Sequence, residues 1–199
     1  DFLLIIFSPE IVMKLSLDDL NRIQSPEELL DILNIDGPPF NPFEIVRHLP
    51  VKVIGNFDEE KLKYSGEIRV DASRKPVIWI NPKDHINRRR FTLAHEIGHL
   101  INDVAPNINK RGVDDVFADT EVTLKRAGQK LPKEYAANSF AASLLMPAKQ
   151  IKELAAAHFG FGQTGGGLMS AAMFISTMAN TFLVSEKAME IRLKELSIL

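Results

Sequence analysis

Hydrophobic and polar residues follow three patterns along the chain: two short helices, then strands, then a long helical half. Ser25-Pro26-Glu27-Glu28 combines a capping serine, a proline at the first helical position and a glutamate three residues after the cap, and it predicts a short helix. Asn41-Pro42-Phe43-Glu44 repeats this device and predicts a second short helix that ends before Pro50.

Three segments rich in β-branched or aromatic residues come next and are separated by polar turns. They cover 51–57, 64–70 and 77–80, and they predict a small, largely antiparallel sheet. After Asn81-Pro82 the spacing of apolar residues becomes helical. It predicts helices near 83–103, 133–146, 147–158, 168–180 and 186–197. This order of elements indicates the α+β class.

Two irregular stretches divide the helical half. The polar stretch 107–132 predicts a long loop with at most one short element at 115–124. The segment 160–167 has Gly-x-Gly-x-x-Gly spacing, but it follows a helix rather than a strand, so we interpret it as a flexible linker and not as a dinucleotide site. The predicted organisation is an N-terminal helical segment (1–37), a core (38–159), this linker, and a C-terminal helical appendage (168–199).

Composition narrows the function classes. The chain has 199 residues, 45% hydrophobic and 25% charged, which is enough apolar material for one globular core. A net charge of -2 provides no overall attraction for nucleic acid or anionic lipid, and the absence of cysteine excludes thiolate chemistry. The apolar run 2–7 is too short to span a membrane and lacks the basic start of a signal peptide. We therefore expect a cytoplasmic protein with no membrane contact.

The most informative residues are His95-Glu96-Ile97-Gly98-His99. At about 100° per residue, His99 falls about 40° from His95, so both imidazoles lie on one face of the predicted helix. The apolar stripe lies on the opposite face, between about 140° and 240°, and consists of Ile86, Leu93, Ile97, Leu100, Ile101 and Val104. Two histidines one turn apart can bind one zinc ion, and Glu96 beside them can act as the general base toward a water molecule.

A catalytic zinc needs a third protein ligand. Asp103 lies eight residues after His95, a helical rise of about 12 Å, which is too far for one ion. Glu134 is the best candidate because it begins a predicted helix whose small residues would let it approach the histidine helix closely. These small residues are Ala136, Ala137, Ala141, Ala142 and Ser143. Four acidic residues of the predicted loop are alternatives: Asp114, Asp115, Asp119 and Glu121.

Other polar residues carry weaker signals. The remaining histidines, His48, His85 and His158, have no ligand spacing, and we expect them to be surface or locally bonded residues. Candidates for stabilising an oxyanion are Tyr64, Tyr135, Lys110 and the run Arg88-Arg89-Arg90, but a surface or packing role is the simpler interpretation of each.

Two segments together resemble the ImmA/IrrE family of zinc metallopeptidases. They are Phe91 to Leu100, which contains the His-Glu-x-x-His motif, and Glu134 to Pro147. The resemblance covers residues 38 to 198. It implies a minimal zincin-like core, built from a small three-stranded sheet and the active-site helices, with a C-terminal helical appendage. It also implies a gluzincin-like endopeptidase with Zn²⁺ bound by His95, His99 and Glu134 and with Glu96 as catalytic base.

The resemblance also implies a substrate class. Such enzymes typically cleave a helix-turn-helix transcriptional repressor, so we expect a protein regulator as partner. Some relatives act as toxins or antiphage components with the same protease chemistry. The long segment between the two motifs and the Gly-rich linker depart from the family pattern, and both bear on substrate and regulation.

The C-terminal segment 175–197 has the rhythm of a helix-turn-helix. Its second helix carries three glutamates against three basic residues, so no excess positive charge is available for phosphates. We therefore expect it to support the core or to dock the substrate. The alternative is a regulatory module that contacts DNA or a partner protein through this segment and has a structural zinc site.

Overall fold

The computed structural model describes residues 13–109, 132–159 and 170–199. Its N-terminal part contains three short helices, α1 (Leu17–Leu20), α2 (Pro26–Ile32) and α3 (Pro42–Ile45), the last continued by a 3-10 turn over Val46–His48. The predicted caps form. Ser25 Oγ accepts the Glu28 amide at 3.1 Å, while the Glu28 carboxylate accepts the Gln24 amide at 2.7 Å, one residue earlier than a standard capping box requires.

The sheet has the order β1-β3-β2, with β1 at Lys52–Ile54, β2 at Gly66–Val70 and β3 at Pro76–Ile80. β2 and β3 pair antiparallel as a hairpin, whereas β1 and β3 pair parallel with Val53 opposite Ile78. The prediction of a largely antiparallel sheet is therefore wrong for β1. The chain passes from β1 to the far edge of the sheet before β3 returns between the two strands, and every residue of this central strand is buried.

The helix that carries the histidines, α4, spans Ile86–His99 and continues as a π-helical turn over Leu100–Val104 and a 3-10 turn over Ala105–Asn107. It begins three residues later than predicted, and residues 81–85 form the turn that leads into it. The Asn81 amide donates to the Tyr64 carbonyl at 2.8 Å and so holds the loop before β2. His85 is the N-cap of α4.

Four further helices follow the predicted positions within a few residues. They are α5 (Pro132–Leu145), α6 (Ala148–Phe159), α7 (Ala171–Phe182) and α8 (Glu186–Glu195). The predicted α+β class is confirmed. The predicted loop element at 115–124 and the linker at 160–167 lie outside the described residues, and the predicted domain limits stay predictions.

One hydrophobic core joins the sheet, α4, α5 and the C-terminal helices. Ile68 and Ile78 of the sheet, and Leu93 and Ile97 of α4, are fully buried in it. The C-terminal helices contribute Phe174, Phe182, Met189 and Leu193, also fully buried. These two helices therefore share the core that surrounds α4. Among the described residues, no helix combines the length and the apolar character needed to cross a bilayer.

Arg90 ties the C-terminal helices to α4. Its side chain is buried and donates to the Phe40 carbonyl at 2.8 Å and to the Leu183 carbonyl at 3.2 Å. Leu183 forms the turn between α7 and α8 in the left-handed conformation, with φ 52°, which costs a residue other than glycine about 1 kcal/mol. The guanidinium thus satisfies the carbonyl of a strained turn from within the helix that carries the histidines.

Replacing Arg90 should destabilise this junction. In Arg90→Met the buried Phe40 carbonyl and the partly buried Leu183 carbonyl lose their donor, so we expect the free energy of unfolding to fall by about 1–3 kcal/mol. Urea denaturation followed by circular dichroism measures the change. Arg22→Met is the matched control, because the Arg22 side chain is 81% exposed. Equal stability of the two variants would contradict this role.

Candidate metal centre

Around the His-Glu-x-x-His motif, other elements pack against both faces of α4. The apolar face rests on the sheet, and the histidine face is covered by α5. As a result His95, Glu96 and His99 are 7%, 1% and 4% exposed. Buried histidines beside a buried carboxylate need partners or an ion, so this face is not a solvated one that carries histidines by chance.

Gly98 permits the close approach of α5. A Cβ atom at this position would lie 3.1 Å from the Phe140 Cβ and 3.2 Å from the Ala137 Cα. Ala137 and Ala141 are themselves buried. The small residues of α5 therefore act as predicted, and they require a glycine on the opposite helix.

This approach brings the predicted ligands together. The His95 and His99 Nε2 atoms are 3.1 Å apart, and the Glu134 carboxylate lies 3.4 Å from the first and 3.3 Å from the second. Taken over one ligand atom from each residue, the three atoms lie within 4.8 Å of one another. Among the described residues, these three form the cluster with the geometry to hold a metal ion.

The outer nitrogen of each imidazole is hydrogen-bonded. The His99 Nδ1–H donates to the Asp103 carboxylate at 2.9 Å, and the His95 Nδ1 lies 3.1 Å from the Asn138 side-chain oxygen. A neutral imidazole that donates from Nδ1 directs the lone pair of Nε2 toward the cluster centre. Lys133 lies 2.9 Å from the second oxygen of Asp103 and fixes that carboxylate in turn.

The electrostatics of the cluster favour a cation. Burial opposes the charged form of His99, but hydrogen bonds with Glu134 and Asp103 and the charge of Glu96 outweigh it and raise the pKa of this imidazole. The two Nε2 lone pairs face each other beside the Glu134 carboxylate. The negative potential that favours a proton on His99 also attracts a metal ion to this point. Two imidazoles and a carboxylate are donors typical of a divalent transition metal ion, so the residues fit a metal.

Glu96 lies between the cluster and the sheet. A Cβ atom on Gly66 of β2 would lie 3.1 Å from the Glu96 Oε1, and only 2.4 Å from the Thr92 Cγ2. β2 therefore passes directly over this carboxylate, and the absence of a side chain at Gly66 leaves room for it.

A cleft of about 760 Å³ opens beside His95 and Glu96. It runs along α4 toward the sheet on one side and toward the first half of α8 on the other. Its lining is mostly apolar and includes Ser65, Gly66, His85, Asn87, Arg88, Phe91, Thr92, Asn138, Val184, Ser185, Lys187, Ala188 and Ile191. The cluster is thus buried on the protein side and accessible from the cleft.

Among the described residues, three of the other sequence candidates have partners away from the cluster. His48 is bonded to the Met13 carbonyl, His85 caps α4, and Arg90 holds the C-terminal turn. Tyr135 is 69% exposed and does not line the cleft. Lys110 and the acidic alternatives Asp114, Asp115, Asp119 and Glu121 lie outside the described residues.

Sequence reasoning missed four residues that shape the site: Asn138, Asp103, Gly66 and Gly98. The position of Asn138 one turn after Glu134 was a usable signal, because the two share a face of α5. Asp103 lies outside the ligand cluster, as its distance from His95 along the helix predicts. It lies one turn from His99, however, and forms a hydrogen bond with that imidazole. The role of Gly66 depends on the order of the strands in the sheet, which cannot be predicted from the local sequence.

A small sheet packed against helices that bring metal-ligating side chains together is the scaffold of a zincin-like metallopeptidase, here with a C-terminal helical appendage. A peptidase family model, described as the IrrE N-terminal-like domain, matches residues 47–194. Because the match covers most of the chain, the protein belongs to this family of metallopeptidases, and the resemblance seen in the sequence is confirmed.

Two individual proteins illustrate the relationship. The radiation response metalloprotease IrrE of Deinococcus radiodurans is 36% identical over 109 residues, which are 54% of this chain and 29% of that protein. The chain thus matches less than a third of this relative's length. A solved structure of a Mycobacterium tuberculosis transcriptional regulator superposes with a TM-score of 0.50, over 88% of this chain and 46% of that one. At 15% identity this likeness concerns the fold alone.

Asp103 should strengthen metal binding through His99. In Asp103→Asn the imidazole loses its charged acceptor, so we expect affinity for Zn²⁺ to fall by about 10- to 100-fold. Competition with a chromophoric chelator measures this. Asp36→Asn, at an exposed position, is the control. Unchanged affinity in Asp103→Asn would contradict the supporting role.

Gly66 should be required for the position of Glu96. In Gly66→Ala the new methyl group collides with Thr92 and presses on the Glu96 carboxylate, so we expect peptide hydrolysis to slow by about 10- to 100-fold while metal content is unchanged. Gly55→Ala is the matched control, because its methyl group would meet its nearest neighbour, the Ile80 carbonyl oxygen, at an ordinary 3.7 Å. Equal rates in both variants would refute this constraint.

Proposed function

We propose that the protein is a zinc-dependent endopeptidase whose substrate is a helix-turn-helix transcriptional regulator. The observation that carries the proposal is the convergence of His95, His99 and Glu134 beside a cleft that His95 and Glu96 line. The substrate class rests on the resemblance of the sequence to the ImmA/IrrE family. The metalloprotease described above does not supply it, because this chain matches only part of that protein.

The spacing of the ligand atoms supports zinc. Around a tetrahedral zinc ion with bonds of about 2.0–2.1 Å, neighbouring ligand atoms lie about 3.3 Å apart. The two Nε2 atoms and the Glu134 oxygens are 3.1 to 3.4 Å apart. Three protein ligands would leave a fourth position for water or substrate, and His95 also lines the cleft from which either could enter.

The chain's own residues would divide the chemistry among them. Zinc, when bound, would polarise the scissile carbonyl and lower the pKa of the attacking water. Glu96 accepts the proton of that water and returns it to the nitrogen of the leaving amine, so the peptide C–N bond breaks with no net proton consumed. Asn138 and Asp103 keep both imidazoles oriented, and burial on the protein side shields the Glu96 carboxylate from bulk water.

The position of α8 favours a protein substrate over DNA. In a helix-turn-helix the first residues of the second helix contact the base edges. Here those residues, Ser185, Lys187 and Ala188, line the cleft beside Glu96. The acidic residues Glu186 and Glu190 further oppose contact with phosphates. A transcription regulator as substrate would place the enzyme in the cytoplasm.

Two substitutions separate metal binding from catalysis. We expect zinc-loaded protein to cleave the helix-turn-helix regulator encoded nearest to its gene, as followed by mass spectrometry. Glu96→Gln should retain about one zinc per chain but lose cleavage by about 10²-fold or more, because the base is absent. Glu134→Gln should lose both zinc and cleavage.

Glu59→Gln, at an exposed position, is the control for both variants and should keep metal and activity. Metal content is measured by atomic emission on dialysed protein. Full cleavage by Glu96→Gln, or zinc-free wild-type protein, would show that the proposed chemistry is wrong.

A further inference from the structure

Part of the cleft, between α4 and the start of α8, is an apolar pocket. Phe91 and Thr92 of α4 form one side, and Val184, Ala188 and Ile191 of the C-terminal helices form the other. Ile191 is 49% exposed and presents its aliphatic side chain at the edge of the cleft. Phe91, Val184, Ala188 and Ile191 carry hydrocarbon side chains, so none of the four can act as a metal ligand, an acid or a base.

The pocket lies within reach of a bound peptide. Phe91 precedes His95 by four residues, a helical rise of about 6 Å. An extended peptide advances about 3.3 Å per residue, so a side chain about two residues from the scissile bond would enter the pocket.

The wall formed by α8 is fixed in place. Arg90 holds the Leu183 carbonyl at its start, and Met189 and Leu193 anchor the opposite face of the helix in the core. The pocket is thus a preformed surface, as ligand-binding sites usually are.

Charges give the pocket little preference for a charged side chain. Among the described residues that line the cleft, Glu96 is the carboxylate, while Arg88 and Lys187 are cations. Each cation has an acidic neighbour on its own helix or turn, Asp84 at 3.4 Å and Glu190 at 3.2 Å, so the net field is modest. An apolar side chain matches the hydrocarbon side chains of the pocket, whereas a lysine or arginine would have to lose hydration of its charge to lie against them.

We propose that the first half of α8 is the specificity wall of the protease: the pocket between Phe91 and α8 accepts a large apolar side chain of the substrate, and Ala188 sets its size. This rests on the proposed function, because it assigns a subsite to the same cleft. Ala188 is half-buried in the wall, so a larger residue there occupies space that the substrate side chain needs.

The test uses the zinc-loaded full chain and a library of quenched fluorescent decapeptides with randomised central positions. We expect the wild-type cleavage sites to be enriched at least about 10-fold in Leu, Ile, Met or Phe over Lys and Arg, at one position within two residues of the cleaved bond. In Ala188→Leu, kcat/KM for these peptides should fall by about 10-fold, mainly through KM, and by less than about 3-fold for peptides with Ala there.

Ala156→Leu, on an exposed face of α6, adds the same bulk away from the cleft and should match the wild type. If circular dichroism shows that Ala188→Leu is unfolded, Ile191→Ser, at the exposed rim, replaces it and should reduce the apolar preference. A flat preference in the wild type, or equal profiles for the pocket and control variants, would overturn the proposal.

A binding measurement separates this inference from the proposed function. Fluorescein-labelled peptide pools with Leu, Ala or Lys at one fixed position are titrated against Glu96→Gln, with and without Ala188→Leu, and anisotropy is recorded. If the wild type cleaves no peptide, the proposed function fails; tighter binding of the Leu pool that Ala188→Leu abolishes would still support the pocket. Equal binding of all pools would overturn it.

Discussion

The contact between α4 and α5 at Gly98 and Ala137 is the constraint on which the centre depends. The two helices touch where α4 carries no side chain and α5 presents Ala137 and the Cβ atom of Phe140, so their axes come close enough for Glu134 to reach both imidazoles. At Gly98 even a methyl group would require the helices to move apart by a few tenths of an ångström. Small residues therefore set the geometry that the polar residues use.

The same contact explains why the site is organised before any ion binds. The apolar face of α4 is fixed on the sheet, which leaves its histidine face a single orientation. Asp103 and Asn138 then determine the imidazole rotations from opposite sides, one from the end of α4 and one from α5. Lys133 and Glu134 are adjacent in sequence but contact different parts of the centre. Lys133 forms an ion pair with Asp103, and Glu134 faces the imidazoles. Such outer contacts are typical of metal sites.

The sequence predicted the parts of this arrangement that depend on local periodicity. The spacing of His95 and His99 and the run of small residues after Glu134 follow from helical geometry alone, so both helices and the three candidate ligands could be named in advance. The parallel pairing of β1 with β3 could not, because strand order depends on contacts between distant segments. Arg90 donates to two backbone carbonyls that are far apart in sequence, and such contacts likewise cannot be predicted from a local pattern.

Arg90 also has an evolutionary consequence. It lies on the helix that carries the histidines, yet it fixes the turn from which α8 starts, so the reactive groups and the opposite wall of the cleft keep a constant relation. The solvent-facing positions of that wall, Lys187 and Ile191, contribute little to the core and can vary at small cost in stability. A lineage can therefore change what it recognises, one surface residue at a time, while the buried machinery is inherited intact.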